Sequence, residues 1–286
     1  MSFLFILACD RIFIGGFTMD SIAKKLSDLQ DFFRSCGSAA IAFSGGVDST
    51  FLLKVAHDEL GEKAIAISAG SVLSPKRETE AAAAFCKKEG IRHFTFQIDP
   101  LKIPGFKDNP ENRCYICKKE IFSKIKTLAF ENGIFTVCDG SNADDTGDYR
   151  PGMQALAELG IRSPLLECGF KKSEVRELSK KLALPTFDKP SAACLASRFV
   201  YGETITEKKL KMVENAEDFL HEKGFLQLRV RIHGENMARI EVRPEDFRKI
   251  LENKDEIAKY FRSLGFVYTA LDLIGFRSGS MNETIK

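Results

Sequence analysis

Histidine is scarce in this chain, with four residues in 286 and none beside a pair of cysteines. A zinc centre of mixed Cys and His ligands therefore lacks its usual partners. An excess of one charge is missing too: 42 Lys and Arg against 40 Asp and Glu leave a formal net charge of +2, with both signs mixed along the chain and no basic arm or stripe. That balance speaks against a nucleic-acid partner and favours a small-molecule or protein substrate. No apolar run is long enough to span a bilayer. The opening stretch from Met1 to Cys9 is apolar, but no positive charge precedes it and Asp10 and Arg11 end it early, so neither a membrane partner nor a secretory signal is expected. No internal repeat or low-complexity tract is evident.

What is present begins with length. A chain of 286 residues exceeds a typical single domain, and one larger plus one smaller domain is the natural expectation. Its eight cysteines sit in a large, charge-rich chain without a secretory signal, and they read as reduced thiols of a cytoplasmic protein. Because Met19 directly precedes an amphipathic helix, residues 1–18 are expected to be an extension upstream of the natural start.

The chain is organised around Ser44-Gly45-Gly46-Val47-Asp48-Ser49-Thr50, which follows the apolar run Ala39 to Phe43. The order is buried parallel strand, tight turn, helix start. Such a turn aims backbone N–H groups and the positive end of a helix at one point beyond the strand, where an anion belongs. Gly45 and Gly46 let backbone approach a phosphate, Ser44, Ser49 and Thr50 add hydroxyl donors, and Asp48 is placed to orient a magnesium ion. No Gly-Lys-Ser/Thr follows, so this is not the Walker pattern.

Strands expected at 63–68, 93–98 and 133–138 alternate with helices, which predicts an α/β fold with a parallel, doubly wound sheet. Ligands of such sheets lie beyond the carboxyl ends of the strands. Ser68 is then expected near an adenosine, and Asp139 to Asp145 brings three carboxylates to the same edge, more than helix capping needs; Asp144 or Asp145 is the candidate for metal or nucleotide. An irregular stretch from Thr186 to Thr204 carries too little charge for disorder and reads as an ordered active-site loop. From residue 205 to 286 the order α-β-β-α-β suggests a small α+β domain with a mostly antiparallel sheet, against a larger domain over 19–204. Arg229 and Arg231 alternate with Leu228, Val230 and Ile232 and share one strand face, either in water or on an anion such as a phosphate.

Cys114-Tyr115-Ile116-Cys117 is the second chemical signal. Alone it fits a zinc half-site, a redox dithiol or chance. With Cys194 it makes three candidate thiolates, a number that suits a 4Fe-4S cluster with one open iron. The alternative is that Cys194 acts alone as nucleophile or sulfur donor, its thiolate favoured by Lys189 and Arg198. Cys9, Cys36, Cys86, Cys138 and Cys168 are expected to be small hydrophobes.

The 44–50 stretch resembles the PP-loop of the ATP pyrophosphatases, whose members include GMP synthetase, NAD synthetase and tRNA thiolation enzymes; the fold implied is adenine nucleotide alpha hydrolase-like, with ATP cleaved between its α and β phosphates. Four separated segments go further. Asn112-Arg113-Cys114-Tyr115-Ile116-Cys117-Lys118-Lys119, Asp139 to Asp145, Ala192 to Arg198 and Leu271 to Ser280 resemble, in order, the LarE family of ATP-dependent sulfur transferases. That resemblance implies adenylation of a pyridinium dicarboxylate mononucleotide and insertion of sulfur, giving the thiocarboxylates of a nickel-pincer cofactor. It implies Mg2+-ATP bound by the loop and by Arg113, Asp144 and Arg198, a substrate phosphate at Arg229 and Arg231, and a homo-oligomer. It also implies, for a chain with Cys114, Cys117 and Cys194 all present, a 4Fe-4S cluster carrying sulfide; single-cysteine members sacrifice the sulfur of the residue matching Cys194 instead. A tRNA thiolase of the same superfamily is the rival enzyme, and would need a route for RNA.

Overall fold

The computed structural model describes residues 19–73, 76–147, 151–190, 193–277 and 279–284. The expected extension at 1–18 with Cys9, and Ser191 and Ala192 of the cysteine loop, lie outside them.

The apolar run before the glycine loop is β1 (Ala39–Ala42), followed directly by α2 (Val47–Leu60), with α1 (Met19–Cys36) before it. β2 (Ala64–Gly70), α3 (Lys76–Glu89), β3 (Arg92–Gln97), α4 (Arg113–Glu131) and β4 (Val137–Cys138) continue the alternation. All pairings are parallel, in the order β3-β2-β1-β4. Strand geometry sends successive side chains to opposite faces. Ala39, Ile41, Ala64 and Ala66 accordingly meet α1, α2 and α3, together with α7 (Lys172–Lys181), while Ala40, Ile65 and Ile67 meet α4 and α5 (Pro151–Glu158). Helices on both faces make the sheet doubly wound. α6 (Pro164–Glu167) is a single turn between them. The fourth strand is only two residues long, not the six expected, since Phe135 is exposed and pairing with β1 begins at Val137.

The chain leaves β1 for β2 and β3 on one side and returns as β4 on the other. The strand order therefore switches at the β1/β4 boundary, where the carboxyl ends open a crevice.

Beyond α8 (Glu207–Glu222), β5 (Leu228–His233), β6 (Met237–Val242), α9 (Phe247–Glu252), α10 (Lys254–Leu264) and β7 (Tyr268–Leu271) build a second sheet in the order β5-β6-β7. β5 and β6 are antiparallel, but β6 and β7 are parallel, so the expected mostly antiparallel sheet is mixed. The reason is the connection: α9 and α10 form a crossover that brings β7 back in the direction of β6. Leu195, Ala196 and Phe199 of the long loop, with Ile205 just after it, belong to the core beneath this sheet, and Phe199 makes an isolated parallel bridge to Ile232. Among the described residues no helix is long and apolar enough to cross a membrane.

Candidate active site

Gly45 has φ +70°, a left-handed conformation open to glycine, and a Cβ there would sit 3.1 Å from Ala82 Cβ. The turn brings Ser44 Oγ within 3.0 Å of Ser49 Oγ and lets the Gly46 N–H donate to Ser44 Oγ at 3.3 Å. Thr50 is fully buried and its hydroxyl has no hydrogen-bond partner among the described residues. The loop after β4 closes on the same point: a Cβ on Gly140 would lie 3.0 Å from Ser49 N, so a larger residue there would push the two backbones apart. Asp48 opens α2 with its carboxylate held by the Lys172 ammonium and by Asn142 Nδ2 at 3.3 Å. A carboxylate already matched by one cation, beside hydroxyls and the positive end of a helix, suits Mg2+ and a polyphosphate.

Asp144 accepts the Lys172 N–H at 2.8 Å, and Asp145 accepts the Asn142 N–H at 2.9 Å, so both carboxylates brace the crevice wall. Ser68 is buried; its hydroxyl donates to the Phe43 carbonyl at 2.6 Å and lies 2.8 Å from His93 Nε2, tying β2 to its neighbours. Burial lowers the His93 pKa. Lys189 does not serve Cys194 as expected. Its ammonium binds the Gly45 carbonyl at 3.0 Å and Glu78 at 2.5 Å, because the chain between them leads it back over the glycine loop.

A cavity of about 350 Å³ separates this crevice from the second sheet. Among the described residues its wall carries five basic side chains, Arg113, Lys118, Arg229, Arg231 and Arg277, against one carboxylate, Glu111. Arg229 and Arg231 are both buried, so the solvated-face alternative is excluded. Arg229 donates to the Leu228 carbonyl at 2.6 Å and faces the Phe276 ring at 5.2 Å; burial first, then Arg198, lowers its pKa to about 10. Arg231 reaches Glu241 at 2.8 Å, Ser280 Oγ at 2.9 Å and the Ser197 carbonyl at 2.9 Å, yet its Nε has no partner among the described residues. Arg113 donates to Asn109 Oδ1 at 2.5 Å and stacks over Tyr201 at 4.5 Å.

Arg198 binds inward. It holds Glu217 through two hydrogen bonds of 2.9 and 2.8 Å and donates to the carbonyls of Ala193 and Cys194 at 2.7 and 3.0 Å. Burial opposes the Glu217 charge, but Arg198 outweighs it and keeps the carboxyl below its ordinary range. Arg198 is thus a clasp for the cysteine loop.

Cys114 is exposed and lines the cavity, Cys194 is exposed next to the lining residue Ala193, and Cys117 is half-buried. Burial, then Cys194 and Cys114, pushes the Cys117 thiol up to about 12. Cys194 presents surface, yet the chain packed around its thiol also raises its pKa, with Cys114 adding to the rise and Arg113 and Arg198 opposing it. The three sulfurs are within mutual electrostatic reach, a soft donor set without histidine. Among the described residues no group of three or more His, Cys, Asp or Glu is arranged to hold a metal ion.

Residues not marked out in the sequence also shape the site: Lys172, Asn142, Lys118, Tyr201 and Arg277. Arg277 and Lys118 lie within stretches already distinguished; Lys172 and Tyr201 carry no local signal.

The profile of the NAD synthase family matches residues 22–126. An uncharacterized protein of Synechocystis sp. is 45% identical over 266 residues, 92% of this chain and 99% of that protein. The pyridinium-3,5-bisthiocarboxylic acid mononucleotide synthase of Lactiplantibacillus plantarum is 37% identical over 93% of this chain and 97% of its own length. An uncharacterized protein of Methanocaldococcus jannaschii is 31% identical over 91% of this chain and 98% of its own.

Proposed function

Because the chain belongs to the LarE family of PP-loop ATP pyrophosphatases, we propose that it adenylates the carboxylate of a pyridinium dicarboxylate mononucleotide with Mg2+-ATP and replaces oxygen by sulfur to form a thiocarboxylate. The observation that carries this reading is the cationic cavity beside the phosphate cradle, lined by Cys114, whose thiol has Cys117 and Cys194 within electrostatic reach. An acid that bears a phosphate meets its complement there.

In this reading the substrate phosphate lies at Arg229 and Arg231, and the Arg231 Nε, which has no partner among the described residues, supports an anion at that wall. The carboxylate points toward the crevice and attacks the α-phosphorus of ATP. Backbone N–H groups at the start of α2 stabilise the departing pyrophosphate, and Asp48, now paired with Lys172, would hold a Mg2+ that supplies further charge stabilisation there. Sulfur then attacks the acyl carbon and AMP leaves. Arg198 holds the Cys194 backbone at the cavity throughout.

For the sulfur source, the donor set suits a 4Fe-4S cluster on Cys114, Cys117 and Cys194, which would supply a sulfide on its open iron. A homo-oligomer is part of the same reading, supported by the exposed Tyr268, Leu273 and Ile274 around the β7 edge.

Anaerobic turnover tests it. ATP and the dicarboxylate mononucleotide should yield AMP, pyrophosphate and a product heavier by the difference between sulfur and oxygen, with iron and sulfide present in the protein. Absence of pyrophosphate would overturn the function. An iron-free protein that turns over once, loses the mass of one H2S and tolerates Cys114→Ala would replace the cluster by a sacrificial Cys194.

A further inference from the structure

Four of the five basic side chains on the cavity wall are committed to the protein. Arg113 is bound to Asn109, Arg231 to Glu241 and Ser280, and Arg277 to Asp272 and Glu283, while Arg229 lies against the Leu228 carbonyl and the Phe276 ring. Lys118 differs. It makes no hydrogen bond or ion pair with any described residue, and its ammonium lies 5.9 Å from the ring of Phe122. Among the described residues it is the cation on this wall that no polar protein group engages, and so the one left to meet an anion of a ligand.

The neighbouring helix makes room for it. Gly152 is the second residue of α5, and a Cβ there would lie 2.7 Å from Lys118 Cδ and 3.2 Å from Cε. A glycine at a helical position costs about 1 kcal/mol relative to alanine. Here it keeps open the path of the lysine stem. On α4, Lys118 stands one turn beyond Cys114, on the same side of the helix. It therefore faces the cavity alongside the thiol, next to Ser141 of the crevice wall.

We propose that Lys118 binds the carboxylate of the pyridinium dicarboxylate that is not reacting in that turnover and so selects a dicarboxylate over a monocarboxylate mononucleotide. This rests on the functional reading above. The ligand is then held at three points: its phosphate by Arg229 and Arg231, its reacting carboxylate at the nucleotide crevice, and its second carboxylate by Lys118. A ring with one carboxylate satisfies only two of these and leaves the lysine unpaired, which is a strong basis for discrimination.

Binding of pyridinium-3,5-dicarboxylate mononucleotide and of nicotinate mononucleotide, each measured by calorimetry without ATP on the anaerobically purified protein, tests the assignment. The wild-type chain should prefer the dicarboxylate by about tenfold to a hundredfold, as one charge-assisted pair predicts. Lys118→Met, which keeps the stem against Phe122, should bind both ligands alike at the monocarboxylate's affinity. Gly152→Ala should move the same ratio in the same direction by displacing the stem, without removing any charge. A Lys118→Met protein that keeps the wild-type ratio, or that loses both ligands equally, overturns the assignment; loss of iron with the ratio unchanged would give Lys118 a role at Cys117 instead. A wild-type protein that binds neither ligand removes the functional reading as well, which separates the two failures.

Discussion

Cys86 is buried among apolar side chains in the larger core, and burial pushes its thiol from an ordinary value of 9.0 up to about 12. The folded thiol therefore keeps its proton to higher pH than the unfolded one. Its contribution to stability is complete below the unfolded value and is lost as pH climbs from 9.0 toward about 12. Urea unfolding of the wild type and Cys86→Ala should show a gap between them near neutral pH, from lost packing, that narrows by roughly 2 kcal/mol near pH 10.5. A gap that stays constant with pH would count against the raised value. The same scale shows what single residues conceal. Alternation correctly put Arg229 and Arg231 on one strand face, but their burial beneath the terminal segment depends on residues some fifty positions away, such as Ser280. The partner of Asp48 is 124 residues distant, so no local spacing could have named Lys172.

Elements whose determinants are contiguous were the legible ones. An apolar run, a glycine pair and a helical repeat within 39–60 are enough to predict strand, turn and helix, and β1 and α2 follow them. The direction of β7 was not legible, because parallel pairing is set by how two helices cross the sheet and not by the strand's own residues. Low charge alone predicts order for the stretch 186–204; over 193–199 the stronger cause is that Leu195, Ala196 and Phe199 pack into the second core while Arg198 binds Glu217. Both members of that ion pair are almost wholly buried. Replacing Glu217 by Gln leaves a buried guanidinium without its counter-charge, a change that typically costs about 3–5 kcal/mol. The expected result is a lower urea midpoint together with faster alkylation of Cys194, and an ATP affinity near that of the wild type because the glycine loop is untouched. Unchanged alkylation in a destabilised Glu217→Gln protein would show that Arg198 does not position the loop.

Across the whole molecule, the two cores meet at the cavity, and neither supplies it alone. Arg113, Cys114 and Lys118 come from a helix packed on the parallel sheet, whereas Arg229 and Arg231 come from the second sheet. A buried charge network then fastens the terminal segment over them. Glu241, fully buried, binds Arg231 and accepts the Ser280 hydroxyl, Arg239 links Glu241 to Asp272, and Asp272 and Glu283 both hold Arg277. Beyond that, Asn282 accepts the Tyr201 hydroxyl at 3.0 Å, so the same segment closes on the loop that carries Cys194. A chain ending at Arg277 loses Ser280, Asn282 and Glu283 and opens this side of the cavity to water. Charges that act on a ligand in a closed site are then screened. Mononucleotide affinity should fall by at least about tenfold, the loss expected when one charge-assisted contact is given up, while ATP affinity should stay near wild type because the β1/β4 crevice keeps every residue it has. Both are read by calorimetry on the same protein. Parallel losses for the two ligands would mean that the cores are coupled through the segment rather than joined at the cavity, and unchanged mononucleotide binding would remove the terminal segment from the site.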